Sequence, residues 1–214
     1  MFTSALKSSL LACSLVMAHQ AALADALWLE QHATGARAHW GEQGQRSPAL
    51  PTLLAPRAYL ADGKDLPITP QAAYIDVSLG DRQASATATP ADLRLVASRV
   101  SPQGVLTYYQ ARLGRQETRA VNDLELVPTA AGGNTFKLVW KGQTVAATQV
   151  HVETSAGWRR TLAPGADGTL LLETPFPGQY VLEVTARVNG SATVEGKKYD
   201  DVRHTATLSF EVPR

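Results

Sequence analysis

The side chains best placed for chemistry are histidines beside carboxylates. His32 and His39 stand near Glu30 and Glu42, and His204 follows Asp200 and Asp201 in the run Tyr199-Asp200-Asp201-Val202-Arg203-His204. Imidazole nitrogen and carboxylate oxygen together form a donor set suited to Ni, Zn, Cu(II) or Fe. His32 and His39 flank a turn at Thr34-Gly35. If the flanking strands pair, positions 30 and 32 approach positions 39 and 42; ordinary surface side chains at a hairpin tip would show the same spacing. For the second group the structural alternative is that Arg203 pairs with a carboxylate while Tyr199 covers a sheet edge. The candidate metal ligands are therefore His32, His39, Asp200 and His204, for a divalent transition metal from that set.

Other chemistries find little support. The sequence has no G-x-S-x-G elbow, no phosphate-cradling glycine loop, no dinucleotide fingerprint and no H-E-x-x-H zinc helix. A non-enzymatic role is the expectation. Trp28, Trp40, Trp140 and Trp158 fall on separate segments rather than on one sugar-stacking platform. Trp28 and Trp140 lie on apolar faces and read as core, and Trp158, beside Gly157, reads as the exposed candidate.

The elements that must position these groups are strands. From Thr205 to Val212, Ala206, Leu208, Phe210 and Val212 alternate with Thr205, Thr207, Ser209 and Glu211, the period-two signature of a strand with one buried face. Phe136 to Trp140 alternates in the same way and runs into a turn at Lys141-Gly142-Gln143. Asp167-Gly168 and Pro177-Gly178 punctuate short apolar runs, as expected of a β-sandwich. Further strands are expected at Leu27–Leu29, Ala36–Trp40, Tyr74–Leu79, Leu93–Val100 and Val105–Leu113. Ser47–Pro56 reads as a loop with room for a short helix near Leu53, and Ala84–Thr89 is small and polar. Valines on both sides of His151 turn that histidine outward. The expected fold is all-β, with two sandwich-like domains at 25–121 and 122–214.

Residues 1–24 have the parts of a secretory signal: Lys7, the apolar run Leu10 to Ala18, and the small-residue site Ala22-Leu23-Ala24. The run is shorter than the roughly 20 apolar residues a membrane span needs, and no later stretch approaches that length. Leu10-Leu11-Ala12-Cys13 has the form of a lipoprotein box. The apolar run continues past Cys13 through Val16 and Met17, however, so the cysteine reads as part of the signal core. Cys13 is the only cysteine, and the methionines are Met1 and Met17. Cleavage after Ala24 would remove every sulfur side chain, which excludes disulfides and thiolate metal sites. The 19 acidic residues all follow Ala24, as do all 20 basic ones except Lys7. The exported segment is thus formally neutral, which gives no basis for binding nucleic acid.

One further pattern spans the chain. Leu27-Trp28-Leu29-Glu30 is followed by Tyr108-Tyr109, Leu124-Glu125-Leu126-Val127-Pro128, Gly157-Trp158 before Asp167-Gly168, and Pro177-Gly178-Gln179-Tyr180. It closes on Gly196-Lys197-Lys198-Tyr199-Asp200, Arg203-His204 and Ala206-Thr207-Leu208. In order and spacing these segments resemble the NikM-like periplasmic proteins, a family of unknown function associated with nickel and cobalt uptake. The resemblance covers nearly all of the chain after Ala24 and is strongest after Asn122. It implies a periplasmic accessory protein of transition-metal import with an immunoglobulin- or transthyretin-like C-terminal domain. It also implies a membrane transporter or outer-membrane receptor as partner, some relatives being closer to iron-receptor systems. Family members often begin the mature chain with a histidine; this one would begin with Asp25.

Overall fold

The computed structural model describes residues 25–42, 45–80, 91–147, 149–188 and 190–214. The expected leader with Cys13, and the run Ala84–Thr89, lie outside them. Alternation of apolar and polar residues builds strands throughout, and the protein is all-β. Among the described residues no helix is long and apolar enough to cross a membrane.

Three sheets form successive layers. The first carries β1 (Ala26–His32), β2 (Gly35–Glu42), β7 (Tyr74–Ser78) and β6 (Ile68–Pro70) in that order, with β3 (Gln45–Arg46) added to β2. The central sheet runs β14 (Arg159–Leu162), β13 (Val150–Thr154), β16 (Gly178–Val188), β19 (Val202–Val212), β9 (Leu106–Leu113), β8 (Leu93–Val100), β4 (Leu54–Leu60), β5 (Asp65–Leu66). The third holds β10 (Leu124–Pro128), β11 (Thr135–Trp140) and β12 (Gln143–Val145), with β15 (Thr169–Leu171) also on β11. A short hairpin, β17 (Ala192–Val194) and β18 (Lys197–Tyr199), extends from the connection between β16 and β19.

Strand parity puts a hydrophobic core on each face of the central sheet. β19 pairs with β9 in parallel register, Ala206 opposite Gln110. Opposed residues share a face, so Tyr109 and Ala111 point away from the side occupied by Ala206, Leu208 and Phe210. Tyr109, Ala111, Leu95 and Ala97 pack beneath Leu27, Leu29, Trp40, Ile75 and Val77 of the first sheet. Ala206, Leu208, Phe210, Tyr180 and Leu182 pack against Leu124, Leu126, Phe136 and Leu138 of the third. The expected boundary at residue 122 falls between β9 and β10, and each core draws on one side of it. The hydrogen bonding crosses that boundary, because β9 and β19 belong to one sheet.

Beneath β10 the interior is ionic. Arg94 and Arg112 are direct cross-strand partners with fully buried side chains. Like charges so placed repel, and three carboxylates hold them. Glu125 Oε1 accepts from Arg94 Nε at 3.0 Å and from Arg112 Nη1 at 2.9 Å. Glu117 Oε2 accepts from Arg94 Nη1 at 2.7 Å, and Asp92 Oδ2 from Arg112 Nε at 3.1 Å. Glu125 Oε2 also accepts the backbone N–H groups of Val121 and Asn122, at 2.7 and 2.9 Å. This network ties the crossover between β9 and β10 to the central sheet.

Several expectations meet corrections. Ser47–Pro56 contains no helix near Leu53; β4 begins at Leu54, with an irregularity at Ala55, whose φ is 46°. Trp158 is half-buried rather than exposed, with its ring 6.0 Å from Phe176 and 6.4 Å from Tyr180. Trp140 is half-buried at a cavity wall rather than sealed in the core. The turn after Trp140 forms as expected. Lys141 and Gly142 both take positive φ, 46° and 81°, which suits the two-residue hairpin joining β11 to β12.

Candidate functional site

The hairpin of β1 and β2 closes at Ala33-Thr34, with His32 opposite Gly35 and Trp28 opposite His39. His39 is buried, and its Nε2 lies 3.0 Å from Glu30 Oε2, a diagonal contact across the pair. The hydrogen bond from His39, with help from Arg46, holds the Glu30 carboxyl below the usual carboxylate range despite its partial burial. Arg46 Nη2 sits 2.5 Å from that same Oε2, so a guanidinium already occupies the position a metal cation would need. His32 is four residues from Trp28, roughly 13 Å along the strand at strand spacing. The hairpin thus brings Glu30 and His39 together and keeps His32 apart.

The second expected group also separates. Asp200 is exposed and pairs with Lys198 Nζ at 2.9 Å. Asp201 is neutralised by Arg187 and Arg203, each at 3.3 Å, as the structural alternative for that run anticipated. His204 is buried on β19. Among the described residues no three His, Cys, Asp or Glu side chains converge as a metal site.

His204 instead belongs to an aromatic cluster. Its parallel partner on β9 is Tyr108, and the two rings stack at 4.9 Å between centroids. Trp140, reaching over from the third sheet, meets His204 edge-on at 4.7 Å. Gln110 fixes the imidazole's protonation. Its Oε1 accepts the Leu124 N–H at 2.7 Å, which orients the amide so that Nε2 donates to His204 Nδ1 at 2.8 Å. A nitrogen that accepts carries no proton, so His204 is the neutral Nε2–H tautomer. In hydrolytic triads a carboxylate holds the opposite tautomer and leaves Nε2 free to take a proton. The arrangement at Gln110 presents a donor there and is unsuited to a general base.

Burial pushes the His204 pKa down to about 4. An unfolded histidine titrates near 6.5. Between those values the unfolded chain binds the extra proton, so His204 contributes stability above about pH 6.5 and loses it as pH falls towards 4. The C–H resonances of the His204 ring, followed by NMR, should titrate with a midpoint near 4. Replacement by glutamine should flatten the stability profile across the same window; a midpoint near 6.5 would refute the buried neutral ring.

Beside His204 opens a cavity of about 630 Å³. Tyr59 from β4, Tyr108 from β9 and Trp140 from β11 contribute its aromatic walls, and Gly190 to Ala192 border it. Asn122 is buried in its lining. Tyr59 Oη donates to Asn122 Oδ1, and Asn122 Nδ2 has no partner among the described residues. A second cavity, about 530 Å³ beside Trp28, is lined by charges already engaged with one another, Glu30 with Arg46 and Glu153 with Arg159.

Of the cavity beside His204, sequence reasoning had singled out only His204 as functional. Tyr59, Tyr108, Gln110 and Asn122 come from segments far apart in the chain. The available signal was Gln110 itself, a polar residue that shares the buried stretch of β9 with Tyr109 and Ala111. No protein-family model matches this chain, and no curated protein matches it.

Proposed function

We propose that this protein is a non-enzymatic periplasmic accessory of transition-metal uptake, with nickel, cobalt or iron as the cargo. Its action is weak ion binding or docking to a membrane transporter or outer-membrane receptor, and docking is the better supported. The support for the pathway is the resemblance of its ordered segments to the NikM-like proteins. The observation favouring docking is the dispersal of the four candidate ligands: His39 faces a carboxylate already paired with Arg46, His32 is a strand's length away, Asp200 pairs with Lys198, and His204 faces Gln110.

Calorimetric titration of the purified protein with Ni, Co, Cu(II), Zn and Fe(II) should give no micromolar binding, and His39→Ala should leave the heats unchanged. Micromolar affinity that disappears in His39→Ala or His204→Ala would restore the ion-binding form. Crosslinking in the periplasm should capture a metal transporter or receptor; capture of neither, with no ion bound, would end the reading. A second reading, a metal-independent binding module for proteins or glycans, is favoured by the aromatic-walled cavity beside His204.

A further inference from the structure

The cavity beside His204 has the dimensions of a small-molecule site, since such sites span about 300–1,000 Å³. Rings of Tyr59, Tyr108 and Trp140 share its walls with Leu54, Val96 and Val121, a largely apolar lining that suits a flat partner. Its polar groups narrow the choice further. His204 retains one donor, Nε2–H, because Nδ1 accepts from Gln110. Asn122, only 6% exposed, carries an amide nitrogen with no partner among the described residues. Two of the buried acceptors are each engaged once, Gln110 Oε1 by the Leu124 N–H and Asn122 Oδ1 by Tyr59. A ligand oxygen that accepts from these N–H groups would satisfy them.

Charge excludes two other classes. Asp123 and Lys141 line the cavity with opposite signs, and both are exposed. Lys141 Nζ lies over the Trp140 ring, 5.2 Å from its centroid. No buried charge in the lining would compensate a carboxylate or an ammonium group held deep inside. The remaining fit is a neutral ring that presents an oxygen to N–H donors.

We propose that this cavity binds an uncharged, flat ring carrying a carbonyl or amide oxygen, stacked among Tyr108 and Trp140 and hydrogen-bonded by His204 and Asn122. The proposal goes beyond both readings above and assigns the cavity a small-molecule ligand class.

The test is NMR titration of the isotope-labelled protein with nicotinamide as the neutral probe and with benzoate, benzylamine and methyl glucopyranoside as comparators. Nicotinamide should shift the Trp140 indole and His204 ring signals and bind about tenfold more tightly than each comparator, the value of roughly one hydrogen bond. His204→Phe keeps the stacking surface but removes the donor, and should weaken nicotinamide about tenfold. Asn122→Asp in the same titration reports on the second donor without enlarging the cavity, and should also weaken it. Tighter binding of benzoate, benzylamine or the glucoside at the same residues would overturn the ligand class and leave the cavity a binding site. No shift at these residues with any probe at millimolar concentration would overturn the proposal.

Discussion

Glu125→Leu is expected to destabilise the protein by about 3–5 kcal/mol, the usual cost of breaking a buried ion pair from one side. Glu125 Oε1 is shared by Arg94 and Arg112, which lie opposite one another with no exposed side-chain surface. Its removal would leave two facing guanidinium groups with only Asp92 and Glu117 between them. It would also strip the acceptor from the Val121 and Asn122 N–H groups, so the crossover leading into β10 loses its anchor. Glu125→Gln keeps the shape and an acceptor and should cost less. Urea unfolding of both variants against the parent measures the difference. A loss below about 1 kcal/mol for the leucine variant would mean that the network is not what holds β10 in place.

Leu95→Ala and Leu208→Ala should each cost about 2–5 kcal/mol, the range for large-to-small changes in a well-packed interior. Both side chains are fully buried, Leu95 beneath the first sheet and Leu208 beneath the third. The magnitude is ordinary, but its distribution is not. The two leucines occupy opposite faces of one sheet, so either lesion should lower the hydrogen-exchange protection of both cores together. If Leu208→Ala loosened only strands after residue 122 and left β1, β2 and β7 protected, the parallel pairing of β9 with β19 would not be coupling the halves.

Much of this architecture was legible in the residues, and the reasons are local. Alternation located the strand that begins at Tyr74 and the core of β19, and the glycine after Trp140 located the turn at Lys141-Gly142. The Thr34-Gly35 turn correctly implied a hairpin. Its register, which alone decides whether His32 or Glu30 meets His39, depends on pairing that composition does not reveal. Ser47–Pro56 is a loop as far as Leu53. The strand that begins at Leu54 is hidden because proline and alanine discourage strands in isolation, and it forms by pairing with β8 across an irregularity between Leu54 and Arg57. The ionic interior and the cavity were the least legible. Arg94, Gln110 and Arg112 each interrupt an apolar strand, a sign that polar partners must exist. Those partners, Glu125 and His204, stand on strands that only the tertiary fold brings near.

The pairing of β9 with β19 also bears on how the protein is made. Leu106 and Val202 are neighbours in the sheet although they are about a hundred residues apart in the chain, which raises the contact order well above that of a meander. Domains dominated by such distant pairings fold in milliseconds to seconds rather than microseconds. Until β19 arrives, β9 presents a long unsatisfied backbone edge, the kind of surface that invites pairing with other chains. Slow closure would prolong the exposure of that edge until the sheet is complete.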